Sequence, residues 1–158
     1  MSTPVIETIA VKIAALIDAI TEAAGFNQTL TAVRPKRIHL ESDINTDLTV
    51  IIEQEDPELM EQTDDVIIWR QPFTLQALVI DSDDATTAID TRLNQVRSDI
   101  EKKLMESENW KLDGIADSIQ FRSPEKFIAD PQVAGIAVNI DVIYEINTTD
   151  PYSQSLKG

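Results

Sequence analysis

Two helices packed on one face of a mainly antiparallel sheet, an α+β architecture, is what this 158-residue sequence predicts, and three observations carry the expectation. Gly135 to Ile146 places Ile136, Val138, Ile140, Val142, Tyr144 and Ile146 at every second position, with Ala137, Asn139, Asp141 and Glu145 between them. Only Ile143 breaks that polar side, so the period is that of a strand with one buried and one solvated face. Its length, about twice the usual, puts it in the middle of a sheet. Two other segments carry a helical apolar stripe, one near each end of a group of strand-like runs. Those runs follow one another without βαβ alternation, which disfavours a parallel doubly wound sheet.

In chain order, Thr3-Pro4 opens the first helix with Thr as N-cap, Pro at the first helical position and Glu7 in the first turn. Ile6, Ile9, Ala10, Ile13, Leu16, Ile17, Ile20 and Ala24 share one face and Gly25 stops it, which predicts a helix over 4–24. Its isoleucines have modest helix propensity, so packing of the stripe supplies most of its stability. A first strand is expected over Thr29–Val33, with Ile38-His39-Leu40 as a continuation beyond Arg34-Pro35, and a stronger one over Leu48–Ile52. After the acidic stretch Glu53–Asp65 come two further strands, Val66–Trp69 and Phe73–Ile80, and Pro72 between them suggests a bulge or an edge position.

Asp81-Ser82-Asp83-Asp84 is expected to cap a second helix over 84–106, with Ala85, Ala88, Ile89, Leu93, Val96, Ile100 and Leu104 as its buried stripe. Asp99 and Lys103 stand at the favourable i,i+4 orientation on it. Trp110 and Leu112 tuck under the sheet before Asp113-Gly114 turns the chain. A strand over Ile115–Arg122, an irregular loop over Ser123–Gln132 and the long strand complete one domain over 1–146. Residues 147–158 read as a polar, mobile tail.

With 28 acidic against 13 basic residues the formal net charge is −15, which disfavours nucleic acid or an anionic membrane as a broad electrostatic partner. The charge is uneven. Arg34, Lys36 and Arg37 form a basic island, whereas Glu53, Glu55, Asp56, Glu58, Glu61, Asp64 and Asp65 crowd one stretch with no Lys or Arg inside it. Mutual repulsion there predicts a mobile, projecting loop, and these seven are the candidate residues for contact with a partner or with DNA. Cysteine is absent, which removes disulfides and thiolate metal sites. The start Met-Ser-Thr-Pro carries no basic leader and no apolar run approaches the roughly 20 residues that span a bilayer, so a soluble protein made in the cytoplasm is expected.

Chemistry is hard to place. His39, the single histidine, has no partner at ligand spacing. Asp81, Asp83 and Asp84 resemble the start of a calcium loop, but Thr86 and Arg92 stand where its glycine and bidentate glutamate belong. Four glycines leave no phosphate cradle, and no nucleophile elbow occurs. Trp69 and Trp110 read as core or subunit-contact aromatics. No enzyme, metal or cofactor is therefore expected.

The layout resembles the tail terminator, or tail completion, proteins of long-tailed bacteriophages. The similarity runs over nearly the whole chain: the apolar helix Val5–Ala24, the Arg34 segment, the strand Phe73–Ile80, the helix Asp84–Met105, and the final strand ending Tyr144-Glu145-Ile146 before Asp150-Pro151-Tyr152. The acidic stretch 53–65 has no counterpart in the family pattern. The resemblance implies a self-assembled ring, commonly a hexamer, on the head-proximal end of the tail tube in the virion, built in the host cytoplasm. Such a ring stops tube polymerisation and meets the head's neck connector protein. DNA passes through without specific binding, and an acidic lining would keep it from sticking. A neck or head-closure connector is the nearest rival, an acidic DNA mimic that blocks a nucleic-acid-binding protein is a rival of another class, and an enzyme with coupled carboxylates is a third.

Overall fold

The computed structural model describes residues 3–35, 47–80, 87–130 and 133–154. Expectations for Lys36, Arg37, the Ile38-His39-Leu40 continuation and the Asp81–Thr86 region lie outside the described residues. The elements run α1 (Val5–Asp18), β1 (Thr31–Val33), β2 (Thr49–Gln54), β3 (Glu58–Gln62), β4 (Val66–Ile80), α2 (Ile89–Met105), β5 (Ser118–Phe121), β6 (Glu125–Asp130), β7 (Val133–Asn147) and β8 (Asp150–Gln154). The strands form one sheet in the order β1-β2-β4-β7-β5, with β3 also beside β4 and with β6 and β8 also beside β7. Every pairing is antiparallel except β1 with β2, so the α+β expectation holds.

The long final strand is the middle of the sheet, as its alternation predicts. It pairs with β4 over fifteen positions, from Val66 opposite Asn147 to Ile80 opposite Val133. Along β7 the even-numbered side chains face the helices, and Ile140 lies opposite Phe73, Val138 opposite Leu75. They join Ile9, Ile13 and Ile17 of α1 and Val96, Ile100 and Leu104 of α2 in one buried cluster. Each such side chain contributes on the order of 2 kcal/mol by leaving water.

The other face of β7 is less solvated than its polar letters suggest, because Asp141, Ile143 and Glu145 are buried there too. A second small cluster of Ile51, Leu78 and Val133 lies on that side, with Ile80 and Phe127 packed against it. Phe127 covers Gly135 across the β6–β7 pair so closely that a Cβ on the glycine would lie 2.3 Å from the ring. An aromatic covering a strand glycine pins the register there.

Several boundaries differ from the sequence reading. α1 ends at Asp18, not 24, because the Asp18 carboxylate accepts the Ala32 amide at 2.8 Å and ties the helix end to β1. A separate 3-10 turn follows, Glu22–Ala24, capped by the Thr21 hydroxyl and closed by Gly25 at a φ of 95°. The N-cap is Pro4 rather than Thr3, with no side-chain cap. α2 has Ala88 at its N-cap position, also without a side-chain cap. Asp99 does not pair with Lys103: it is buried and accepts hydrogen bonds from the Asn27 amide and side chain and from the Gln28 amide, at 3.3, 3.2 and 2.9 Å. Three fixed donors in a turn hold the carboxylate better than a flexible ammonium. Leu112 is fully buried as expected, while Trp110 is half-buried.

Val66–Trp69 and Phe73–Ile80 are one strand, and Pro72 does not interrupt it. The Pro72 carbonyl accepts the Glu55 amide at 3.0 Å, so the side of the strand on which proline lacks a donor faces the gap where β2 has ended and β3 has not begun. The strand expected over Ile115–Arg122 is limited to Ser118–Phe121, with the 3-10 segment Asn109–Gly114 ahead of it. The loop expected over Ser123–Gln132 contains β6, and the tail expected after Asn147 contains β8, paired with Ile146 and Asn147. The domain therefore extends past 146 to at least Gln154.

The largest correction concerns the acidic stretch. Instead of a projecting loop, its middle is β3, an edge strand antiparallel to residues 67–70 of β4, with one bulge between Leu59 and Glu61. The hairpin turn is local chemistry: the Thr63 hydroxyl accepts the Asp65 and Val66 amides at 3.2 and 3.1 Å. Repulsion does not prevent the pairing because the cation comes from the facing strand, where Arg70 reaches Glu58 at 3.2 Å. Counting bases inside the stretch missed it.

Candidate functional site

The helix-free face of the sheet carries a cleft of about 750 Å³. One wall is the end of β2 and the turn after it, with Glu53, Glu55 and Asp56; the other is β6, with Glu125, Phe127 and Ile128. The floor is Thr74 and Gln76 of β4 and Ala137 and Asn139 of β7, placed side by side by the β4–β7 register. The Thr74 hydroxyl donates to the Asn139 side-chain oxygen at 3.2 Å, and the Asn139 amide group donates to the Ser123 carbonyl at 2.9 Å. These contacts make the floor rigid and tie it to the segment leading into β6.

Of the seven predicted site residues, three meet at this cleft and four do not. Glu53, Glu55 and Asp56 line it. Glu58 is engaged by Arg70, Glu61 is exposed on β3, and Asp64 and Asp65 occupy the β3–β4 turn at the far end of the hairpin. The turn carrying Glu55 is held from below: Gln71, itself buried, donates through Nε2 to the Glu55 carbonyl at 2.6 Å and to the Pro72 carbonyl at 3.0 Å. Glu125, Phe127 and Ile128 escaped the sequence reading. The signal was present in Pro124 and Pro131, which bracket a strand rather than interrupt one.

Beside the cleft an ionic row crosses the strands. Asp141 of β7, only 7% exposed, has Arg122 Nε at 3.0 Å and Arg70 Nε at 3.8 Å, and Arg70 also reaches Glu58. The Arg122 contact has ion-pair distance but not hydrogen-bond alignment, since Asp141 Oδ1 and Arg70 Nε are buried without a hydrogen-bond partner among the described residues. Attraction between charges therefore holds the row, and Arg122 is engaged by it. Asp141 was expected on a solvated surface; two guanidinium groups cover it instead.

On the helix side, a smaller apolar cavity of about 290 Å³ lies between Pro4, Ile6, Pro57, Trp69, Tyr144 and Pro151. Burial raises the pKa of the Tyr144 hydroxyl there. Arg34, in the basic island, forms a fork onto Glu7 at 2.7 and 3.0 Å. That hydrogen bonding lowers the Glu7 pKa against the opposing effect of desolvation. It joins α1 to the end of β1 and is a structural pair. Among the described residues no helix is long and apolar enough to cross a membrane, and no group of three or more His, Cys, Asp or Glu is placed to hold a metal ion. Compared with known proteins, the chain matches no family model and no curated protein.

Proposed function

We propose that this chain is a tail terminator: a ring subunit, hexameric in the assembled state, that caps the head-proximal end of a phage tail tube, halts its polymerisation and receives the neck connector. The role is structural, without catalysis. The resemblance to the tail terminator family supports it, and one structural observation carries the ring: strand edges with no partner among the described residues lie on opposite margins of one sheet. At one margin is β3, exposed throughout, with Leu59 50% exposed and Met60 beside it. At the other is β6, where Ile128 is 82% exposed.

An open strand edge is a template for another chain's backbone. Two different edges facing opposite ways give a head-to-tail contact, and such contacts close into a ring when the rotation per subunit divides a circle. Native mass measurement on tube-bound protein is expected to give six copies, and Leu59→Lys with Met60→Glu is expected to prevent ring closure while leaving the monomer's melting unchanged. A single copy per tail sinks the ring. Location at the head vertex rather than the tail end favours the head-closure alternative.

A further inference from the structure

We infer that the cleft on the helix-free face is a docking site for an extended, basic segment of a partner protein, in which adjacent pairs of Lys or Arg side chains are separated by pairs of apolar ones. The inference does not rest on the tail reading and applies to any assembly in which this face is open.

Charge is the first argument. Glu55 and Asp56 on one wall and Glu125 on the other are exposed and have no cationic partner among the described residues. Nearby cations are engaged elsewhere: Arg122 with Asp141, and Lys126 with Asp90 at 3.0 Å. A cationic occupant would meet carboxylates on both sides, whereas nucleic acid would be repelled.

Geometry narrows the occupant. β2 and β6 are separated by β4 and β7, so three inter-strand spacings put the walls about 14 Å apart. One metal ion does not bridge that span. An extended peptide lying on the floor does, because a Lys or Arg side chain reaches roughly 6 Å to either side and consecutive side chains of an extended chain point in opposite directions. The second wall offers Phe127, which lies on this face over Gly135, to the peptide's apolar side chains. An aromatic side chain beside carboxylates suits a peptide that carries apolar side chains better than a simple polycation.

The test uses the full chain and a fluorescent eight-residue peptide of two Arg-Arg-Leu-Leu repeats, which presents both side-chain types to both walls, followed by anisotropy at low and moderate salt. Binding is expected for this peptide and not for its Glu-Leu counterpart. Glu55→Gln with Asp56→Asn and Glu125→Gln is expected to weaken it at least tenfold. The control triple variant Glu22→Gln, Asp64→Asn and Glu108→Gln removes as much charge from exposed positions away from the cleft and is expected to leave affinity within twofold. Absence of binding overturns the inference. So does equal weakening by the two triple variants, which would reduce the effect to overall acidity, or competition by spermine as effective as by unlabelled peptide, which would mean that no polypeptide is recognised. The stoichiometry of the ring affects none of these readings.

Discussion

Single residues show how far local letters mislead about burial. Asp141 alternates with apolar neighbours and reads as solvent-facing, yet two arginines from different strands close over it. Removing one partner of such a group leaves charge uncompensated in a desolvated place, although Arg122 is half-exposed and its screening reduces the cost. Asp141→Ala is therefore expected to lower unfolding free energy by about 2 kcal/mol in urea titration, with Asp141→Asn intermediate. Equal stability of Asp141→Ala and the parent would mean that the ionic row contributes nothing. Glu7 provides a pH signature. Its folded pKa lies below the ordinary value of 4.5, so its contribution is fully present above that pH and is lost as pH falls through the lowered folded value. Both partners are more than a third exposed, which limits the effect to at most about 1 kcal/mol. The stability difference between the parent and Glu7→Gln is expected to be larger at pH 7 than at pH 3; a difference independent of pH would exclude the ion pair as its source.

At the scale of elements, β7 and β3 are opposite cases. β7 announces itself, because its alternation is long and its core face is wholly apolar. Ile140 is fully buried opposite Phe73, so Ile140→Asp places an unpaired carboxylate in the core and is expected to cost several kcal/mol, enough to abolish the cooperative melting transition. A variant that melts like the parent would show that Ile140 does not face the core. β3 is concealed, since all five of its residues are exposed and none supplies a core signal. Its pairing with β4 predicts that some amides within 58–62 exchange slowly in the isolated protein while those of Asp64 exchange fast. Uniformly fast exchange would leave the hairpin unformed in solution.

For the whole molecule, the sheet's margins matter as much as its core. β5, β6 and β8 share the outer edge of β7 in succession, so the chain after Asn147 completes the domain rather than trailing from it. Pro151 closes the apolar cavity beside Trp69 and Tyr144. Truncation after Thr148 is expected to lower Tm by several degrees, since 1 kcal/mol is worth about 2–4 °C in a chain of this size, and to shift Trp69 fluorescence toward a more solvated environment. An unchanged Tm would return residues 149–158 to the status of a tail.

What the sequence by itself determined is the α+β class, the two helices on one face, and the central place of the strand through Ile140. These follow from periodicity, a property of neighbours along the chain, and each is set by many residues acting together. Three members of the acidic wall were legible for the same reason, as a local run of charge. Tertiary structure alone decided the rest: that Pro72 falls in a gap between two strands, that Arg70 supplies the cation missing from the acidic stretch, and that Glu125 and Ile128 stand across the floor from Glu55. Each depends on which strand lies beside which, and pairing between residues far apart in the chain leaves no period in the sequence.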